Sequence, residues 1–228
     1  EDIISKINSK TKMMIVCNPA NPMSTSFSED EVDFLIDICE KNDILLLADE
    51  MYRDLYLDEK PLSFAGKSKN VIVVSGLTKS HCMSGWRIGW IAAENPALIS
   101  NVIVAHQYIC TCAPFLSQRI LVPALSENGM QEVEKIRLRL KSNRDYAVEY
   151  LKKEIPYIKI ADSTSSPYLF LSVGTDDKEV SMKLAKNGVL VIPGSAFGSN
   201  GENWIRLSFA LEKEKLQKGL EIISKTLR

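Results

Sequence analysis

Six chemically distinct polar groups stand at the ends of short apolar runs in this sequence. Asn21 follows Met13–Cys17, Asp49 and Tyr52 follow Ile44–Ala48, and Thr78 and Lys79 follow Val71–Val74; Arg87 immediately precedes Ile88–Ala92. If the runs are strands of a parallel sheet, an amide, a carboxylate, a phenol, a hydroxyl, an amine and a guanidinium gather at one sheet edge, where such sheets bind their ligands. The amine is a nucleophile toward carbonyl carbon. The guanidinium offers a permanent charge and a planar fork for an anion. Taken singly, each has an ordinary explanation: Asp49 caps a helix, Asn21 shapes a turn, and Lys79 and Arg87 are solvated. Their joint order is what points to a site.

The elements that must hold these groups follow from the pattern. Met13–Cys17 is stopped by Asn18-Pro19-Ala20-Asn21-Pro22, where two prolines impose a turn, and its apolar character on both faces predicts a buried parallel strand. Ser28 and Glu31 form a capping-box pair ahead of a helix whose apolar face is Val32, Leu35, Ile36 and Cys39. Ile44–Ala48, Val71–Val74 and Ile88–Ala92 read as further buried strands, giving an α/β, mostly parallel sheet covered on both faces. Asn95-Pro96 opens a helix running toward His106. Val133, Ile136, Leu140, Ala147 and Leu151 mark a long amphipathic helix over about 131–154.

Beyond it, strands are predicted at Tyr157–Ile160, Tyr168–Val173, Val189–Ile192 and Trp204–Ser208. Helices are predicted over Asp177–Asn187, stopped by Gly188, and over the C-terminal segment. The expected division is a partial large domain over 1–130 and an α+β small domain over 131–228. Trp86, Trp90 and His106 read as packing residues, and His81 as loop packing or a pocket wall. Gly194 and Gly198 read as positions where a Cβ does not fit.

Composition excludes several classes. The 28 Lys and Arg residues balance 29 Asp and Glu, giving no electrostatic case for nucleic acid or an anionic membrane. No apolar run reaches the roughly 18 residues of a membrane span, and Glu1–Lys6 lacks a leader's layout. Five cysteines without metal-site spacing read as reduced structural thiols of a cytoplasmic protein.

Together these segments resemble the class I/II aminotransferases, pyridoxal-phosphate enzymes of fold type I related to aspartate aminotransferase. Asn18-Pro19-Ala20-Asn21-Pro22-Met23-Ser24 is similar to the family's N-P-x-N-P-T-G turn, and Asp49-Glu50-Met51-Tyr52 to its D-E-x-Y segment. Lys79 and Arg87, eight residues apart and followed by Ile88-Gly89, match S-K-x-x-x-x-x-G-x-R-x-G. Val191–Gly198 and Trp204–Ser208 resemble the two small-domain signatures.

The resemblance implies a PLP cofactor, L-amino acid and 2-oxo acid substrates, a ping-pong mechanism and, for an intact protein, a homodimer. Lys79 is then the amine that engages the cofactor aldehyde and shuttles the substrate proton. Asp49 holds the pyridine nitrogen protonated. Tyr52 and Asn21 bond the ring's phenolic oxygen, Thr78 and Arg87 hold the phosphate, and Arg206 takes the substrate α-carboxylate.

The sequence departs from the pattern at Met23-Ser24, where the family has Thr-Gly, and at Thr78, where Ser is commoner. The family also carries a phosphate loop, a stacking aromatic and a tyrosine lent across the dimer upstream of the proline turn. Only seventeen residues precede that turn here, so the chain is expected to be the C-terminal part of such an enzyme, weak in cofactor binding and inactive by itself. A PLP-dependent C–S β-lyase, which shares Lys79, Asp49, Tyr52 and Arg87, and a non-catalytic module are the competing readings.

Overall fold

The computed structural model describes residues 2–228; Glu1, first residue of the segment read for a leader, lies outside it. Contacts divide the chain into two units. One comprises the chain up to Pro19 with Ser26–Asp54 and Lys60–Glu134, the other Ala20–Thr25, Leu55–Glu59 and Lys135–Arg228.

The first unit contains α1 (Asp2–Lys6), β1 (Met13–Cys17), α2 (Glu29–Lys41), β2 (Leu45–Asp49), β3 (Val71–Gly76), α3 (Leu77–Ser80), β4 (Gly89–Ala92), α4 (Pro96–Cys110) and α5 (Phe115–Ala124), and it takes in the start of α6 (Glu127–Glu154). The sheet order is β1-β2-β3-β4; the first three strands are parallel and β4 runs antiparallel to β3. The capping box forms: Glu31 N–H donates to Ser28 Oγ (3.3 Å) and Ser28 N–H to Glu31 Oε2 (2.8 Å). That start fixes the phase of α2, so Val32, Leu35, Ile36 and Cys39 bury against Leu46, Ala48, Val71 and Val73. Each such side chain contributes about 1.5–3 kcal/mol by leaving water.

The expectation of a sheet covered on both faces holds at β3, where Val71, Ile72 and Val73 are all buried, and is corrected at β1 and β4. In β1, alternate residues Met14 and Val16 pack on the α2 side, while Met13 and Ile15 face outward, Ile15 at 69% exposure. All of β4 is exposed rather than buried. At β1 the reason is the period of two along a strand: α2 covers only the residues of one parity. Trp86 and Trp90 are likewise exposed rather than packed in a core. Of the cysteines read as structural, only Cys39 is buried; Cys82, Cys110 and Cys112 are exposed, and His106 is exposed with its Nε2 3.0 Å from Cys110 Sγ. α4 starts as expected, with Ala97 N–H bonded to Asn95 Oδ1 (3.0 Å) and Pro96 at the first helical position. α5 had no sequence signal, because Pro123 stands inside it.

The second unit adds β5 (Lys159–Ile160), β6 (Tyr168–Ser172), α7 (Asp177–Lys186), β7 (Ile192–Pro193), β8 (Trp204–Ser208) and α8 (Lys213–Leu227). Its antiparallel sheet has the order β5-β6-β8-β7. The strand expected over Val189–Ile192 begins only at Ile192. Val189 N–H bonds Leu184 O (3.0 Å) and Gly188 N–H bonds Ala185 O (3.0 Å), a Schellman closure of α7 that uses this backbone. The strand expected over Tyr157–Ile160 is confined to Lys159–Ile160.

The segment Leu55–Glu59 is tied into the same unit: Leu57 N–H donates to Thr164 O (2.8 Å), and Asp58 receives both ends of the Arg144 fork at 2.8 Å and the Lys141 ammonium at 2.7 Å. The Arg144 hydrogen bonds, with help from Lys141, hold the Asp58 carboxyl well below the usual carboxylate range. Among the described residues no helix is long and apolar enough to cross a membrane, and no three His, Cys, Asp or Glu groups are arranged to hold a metal.

Candidate active site

Two constellations hold the residues singled out in the sequence, one in each unit. In the first, strand register brings the groups to a common edge. Asp49 is the last residue of β2 and pairs with Val74 of β3; two residues on, Gly76 pairs with Gly89 of β4. Thr78 and Lys79 follow Gly76 directly on α3, and Arg87 lies two residues before Gly89. The antiparallel turn back into β4 therefore returns Arg87 to the end from which Thr78 and Lys79 emerge.

The two paired glycines make this approach possible. A Cβ on Gly76 would stand 2.8 Å from Ile88 O, and one on Gly89 would stand 2.7 Å from Ser75 O. Both distances are too short for real atoms.

Asp49 Oδ1 accepts the Met51 N–H (3.0 Å), which orients the carboxylate and leaves Oδ2 without a partner among the described residues. Tyr52 is buried, and the Lys79 ammonium lies 5.6 Å from its ring centroid. Among the described residues, neither Lys79 Nζ nor the Thr78 hydroxyl has a hydrogen-bond partner. Arg87 takes a left-handed backbone (φ 49°) and donates from Nη1 to Ser84 O (2.8 Å), leaving its other guanidinium nitrogens without a partner among the described residues.

His81 takes the packing role. Its Nε2 faces Ala124 O (3.0 Å), which only accepts, so Nε2 carries the proton and Nδ1 accepts the Ser80 hydroxyl (2.9 Å). The imidazole thereby fastens the end of α3 to the end of α5.

The second constellation centres on Arg206. It sits on β8, where Ile205 and Leu207 are buried and Arg206 takes the opposite face, as strand alternation requires. Its Nη1 donates to Asn21 Oδ1 (2.7 Å), and its guanidinium carbon lies 4.2 Å from the Tyr168 ring and 4.9 Å from the Phe197 ring. Since Oδ1 is the Asn21 atom facing an obligate donor, Nδ2 is the atom left to donate elsewhere.

The turn carrying Asn21 is fixed by Ser24, which stands where the resemblance expects glycine. Ser24 adopts φ 61°, and the loss of glycine's freedom is offset by its hydroxyl. That hydroxyl donates to Tyr168 O (2.9 Å) and receives the Ser166 hydroxyl (2.5 Å).

Asp177, unremarked in the sequence, holds the loop that bears Phe197. Burial pushes its carboxyl pKa up. The N–H of Ser195 (2.8 Å) and that of Asn203 (3.4 Å) outweigh this and hold it below the usual range. Gly194 fits the reading given to it, since a Cβ there would meet Gly201 O at 2.2 Å; Gly198 has φ 126°. The sequence concealed Tyr168 and Phe197 as neighbours of Arg206, because both look like ordinary strand and loop hydrophobes until the fold sets their rings against its guanidinium.

The chain matches the family model for aminotransferase class I and II over residues 1–223. It is 34% identical over 231 residues to a Bacillus subtilis protein named as an aminotransferase, covering 96% of this chain and 58% of that one. With the aspartate aminotransferase of Pyrococcus horikoshii it shares 30% identity, covering 99% of this chain and 59% of the relative. The fold superposes on an aromatic aminotransferase from Pyrococcus horikoshii with a TM-score of 0.92 at 26% identity, over 99% of this chain and 62% of that one. It superposes equally, TM-score 0.92 at 26% identity, on a PLP-bound protein from Clostridium difficile 630 described as an aminotransferase, over 100% and 61%. The chain belongs to the class I and II aminotransferase family. It spans 58–62% of the length of these relatives.

Proposed function

We propose that this protein is a PLP-dependent aminotransferase that moves an amino group from an L-amino acid to a 2-oxo acid in two half-reactions. The observation that carries the reading is the common edge in the first unit, which gathers an amine over a buried phenol ring, a carboxylate and a guanidinium, none of them hydrogen-bonded to full capacity among the described residues. This donor set fits pyridoxal phosphate, which presents an aldehyde, a basic ring nitrogen and a dianion. When bound, the cofactor supplies an electrophile for amines and a ring that accepts electrons from the substrate's α-carbon.

The chain's own residues do the rest. Lys79 Nζ would engage the aldehyde and, as a free amine, would accept the proton leaving the substrate Cα onto its own nitrogen. Asp49 Oδ2 holds the proton on the ring nitrogen, its position set by the Met51 N–H on Oδ1. The Thr78 hydroxyl and the unengaged Arg87 nitrogens bind the phosphate. Tyr52 and Asn21 Nδ2 donate to the ring's phenolic oxygen. Arg206 binds the α-carboxylate of donor and acceptor alike, so both half-reactions use one anchor. The names of the relatives favour transfer over β-elimination.

The test is borohydride reduction of the PLP-loaded protein expressed from its full reading frame, followed by peptide mapping. The phosphopyridoxyl group is expected on Lys79, and Lys79→Ala is expected to lose both the adduct and transamination. A map placing the label on another lysine overturns the assignment. Pyruvate and ammonia release from cystathionine without a keto acid would instead select the β-lyase reading.

A further inference from the structure

We infer that Tyr168 and Phe197 are positioning residues that clamp the Arg206 guanidinium and thereby set the plane in which an α-carboxylate is received. The inference rests on the reading of Arg206 as the carboxylate anchor. Tyr168 is the diagonal cross-strand neighbour of Arg206 in the β6–β8 pair, and Phe197 arrives from the turn after β7, so the two rings come from separate elements. The guanidinium carbon lies 4.2 Å from one ring centroid and 4.9 Å from the other, within the range where an aromatic face attracts a cation.

The rings are themselves braced. Phe170 meets Phe197 edge-on at 6.4 Å and stacks on Trp204 at 5.1 Å. The plane's last freedom is removed by Asn21, which accepts from Nη1. Among the described residues Arg206 has no carboxylate partner, and Nε and Nη2 have no acceptor. One edge of the guanidinium is therefore fixed and the other is presented, which is the arrangement a bidentate carboxylate pair needs. A flexible arginine in this place would lose side-chain entropy at every binding event; this one is ordered beforehand.

Phe197 is part-exposed, at 38%, so Phe197→Leu removes a ring face without emptying a core. The experiment compares Phe197→Leu, Tyr168→Leu, Tyr168→Phe and Arg206→Ala in the PLP-loaded protein expressed from its full reading frame. It measures the saturation constant and the limiting rate of the half-reaction with L-aspartate, L-phenylalanine and L-alanine. Loss of either ring is expected to raise the saturation constant about fivefold to tenfold for every donor, whatever its side chain, with the limiting rate and PLP affinity little changed. Tyr168→Phe, which keeps the ring face, is expected to rescue Tyr168→Leu.

A second readout needs no cofactor. The Arg206 Nε–H proton, flanked by two ring faces, should be shifted upfield in the NMR spectrum of the protein and should return toward the other arginines in Phe197→Leu. If Arg206→Ala weakens every donor while both leucine variants bind like wild type, the clamp is refuted and the anchor stands. If Arg206→Ala changes nothing, or no donor reacts at all, the reading beneath it fails and the clamp with it.

Discussion

The role proposed for Arg206 depends on its neighbours. An arginine on a half-exposed strand is ordinarily a solvated charge worth little. Here the guanidinium is placed on the outward face of β8 by alternation, held between two rings, and fixed at one corner by an amide whose own turn is secured by Ser24. Removing it strands an incoming carboxylate without its charged partner. Arg206→Ala is therefore expected to weaken binding of every α-amino acid by about 2–3 kcal/mol, with the affinity for PLP unchanged. Calorimetric titration of PLP and donor saturation kinetics check the two halves separately, and unaltered kcat/KM for all donors would end the assignment.

At the scale of elements, Asp177 ties the start of α7 to the loop from Ser195 to Asn203. Its carboxyl pKa in the folded state lies below the unfolded value near 3.9. The sign follows directly: the stabilisation is complete above the unfolded pKa and is lost as pH falls through it toward the folded value. Asp177→Asn is expected to destabilise the protein by about 1–2 kcal/mol at neutral pH. It is also expected to flatten the fall in stability below about pH 5, as measured by urea unfolding at several pH values; parallel curves for variant and wild type would contradict this.

The elements differ in how far the sequence disclosed them. The capping box at Ser28 and Glu31, Asn95-Pro96 and Gly188 each carry a local mechanism, and the helix ends they mark were legible. Whether Ile15 or Trp90 is covered depends on which helix lies over that parity of the sheet, and no local pattern encodes it. The residues to which the proposed chemistry is assigned were visible as types and spacings. The rings around Arg206 and the grip of Asp177 were not, since contacts over tens of residues depend on register rather than on motif.

Across the molecule as a whole, the apolar surface is distributed unevenly. α4 and α5 expose Tyr108, Ile109, Phe115, Leu116 and Val122, while the charged residues sum nearly to zero and give little electrostatic repulsion between copies. Side chains of this kind in such number on neighbouring helices favour burial against another apolar surface. The 228-residue chain is expected to self-associate at micromolar concentration and to bind a hydrophobic dye, both checked by sedimentation velocity and fluorescence titration. A monodisperse monomer that leaves the dye dark would show that these helices repack to hide the surface.

The meeting of Gly76 and Gly89 has a consequence for how the protein tolerates change. Neither glycine carries a group that touches a reacting atom, yet any side chain at either one would drive β3 and β4 apart at the end where Thr78, Lys79 and Arg87 are gathered. On the proposed reading, a side chain at either glycine is expected to cost activity as replacing Lys79 does. A survey of inactive variants would mark them as members of the site. Their contribution is the absence of atoms: a gap of one methyl group that lets β3 and β4 meet where α3 and the turn before β4 bring the amine and the guanidinium of the proposed site.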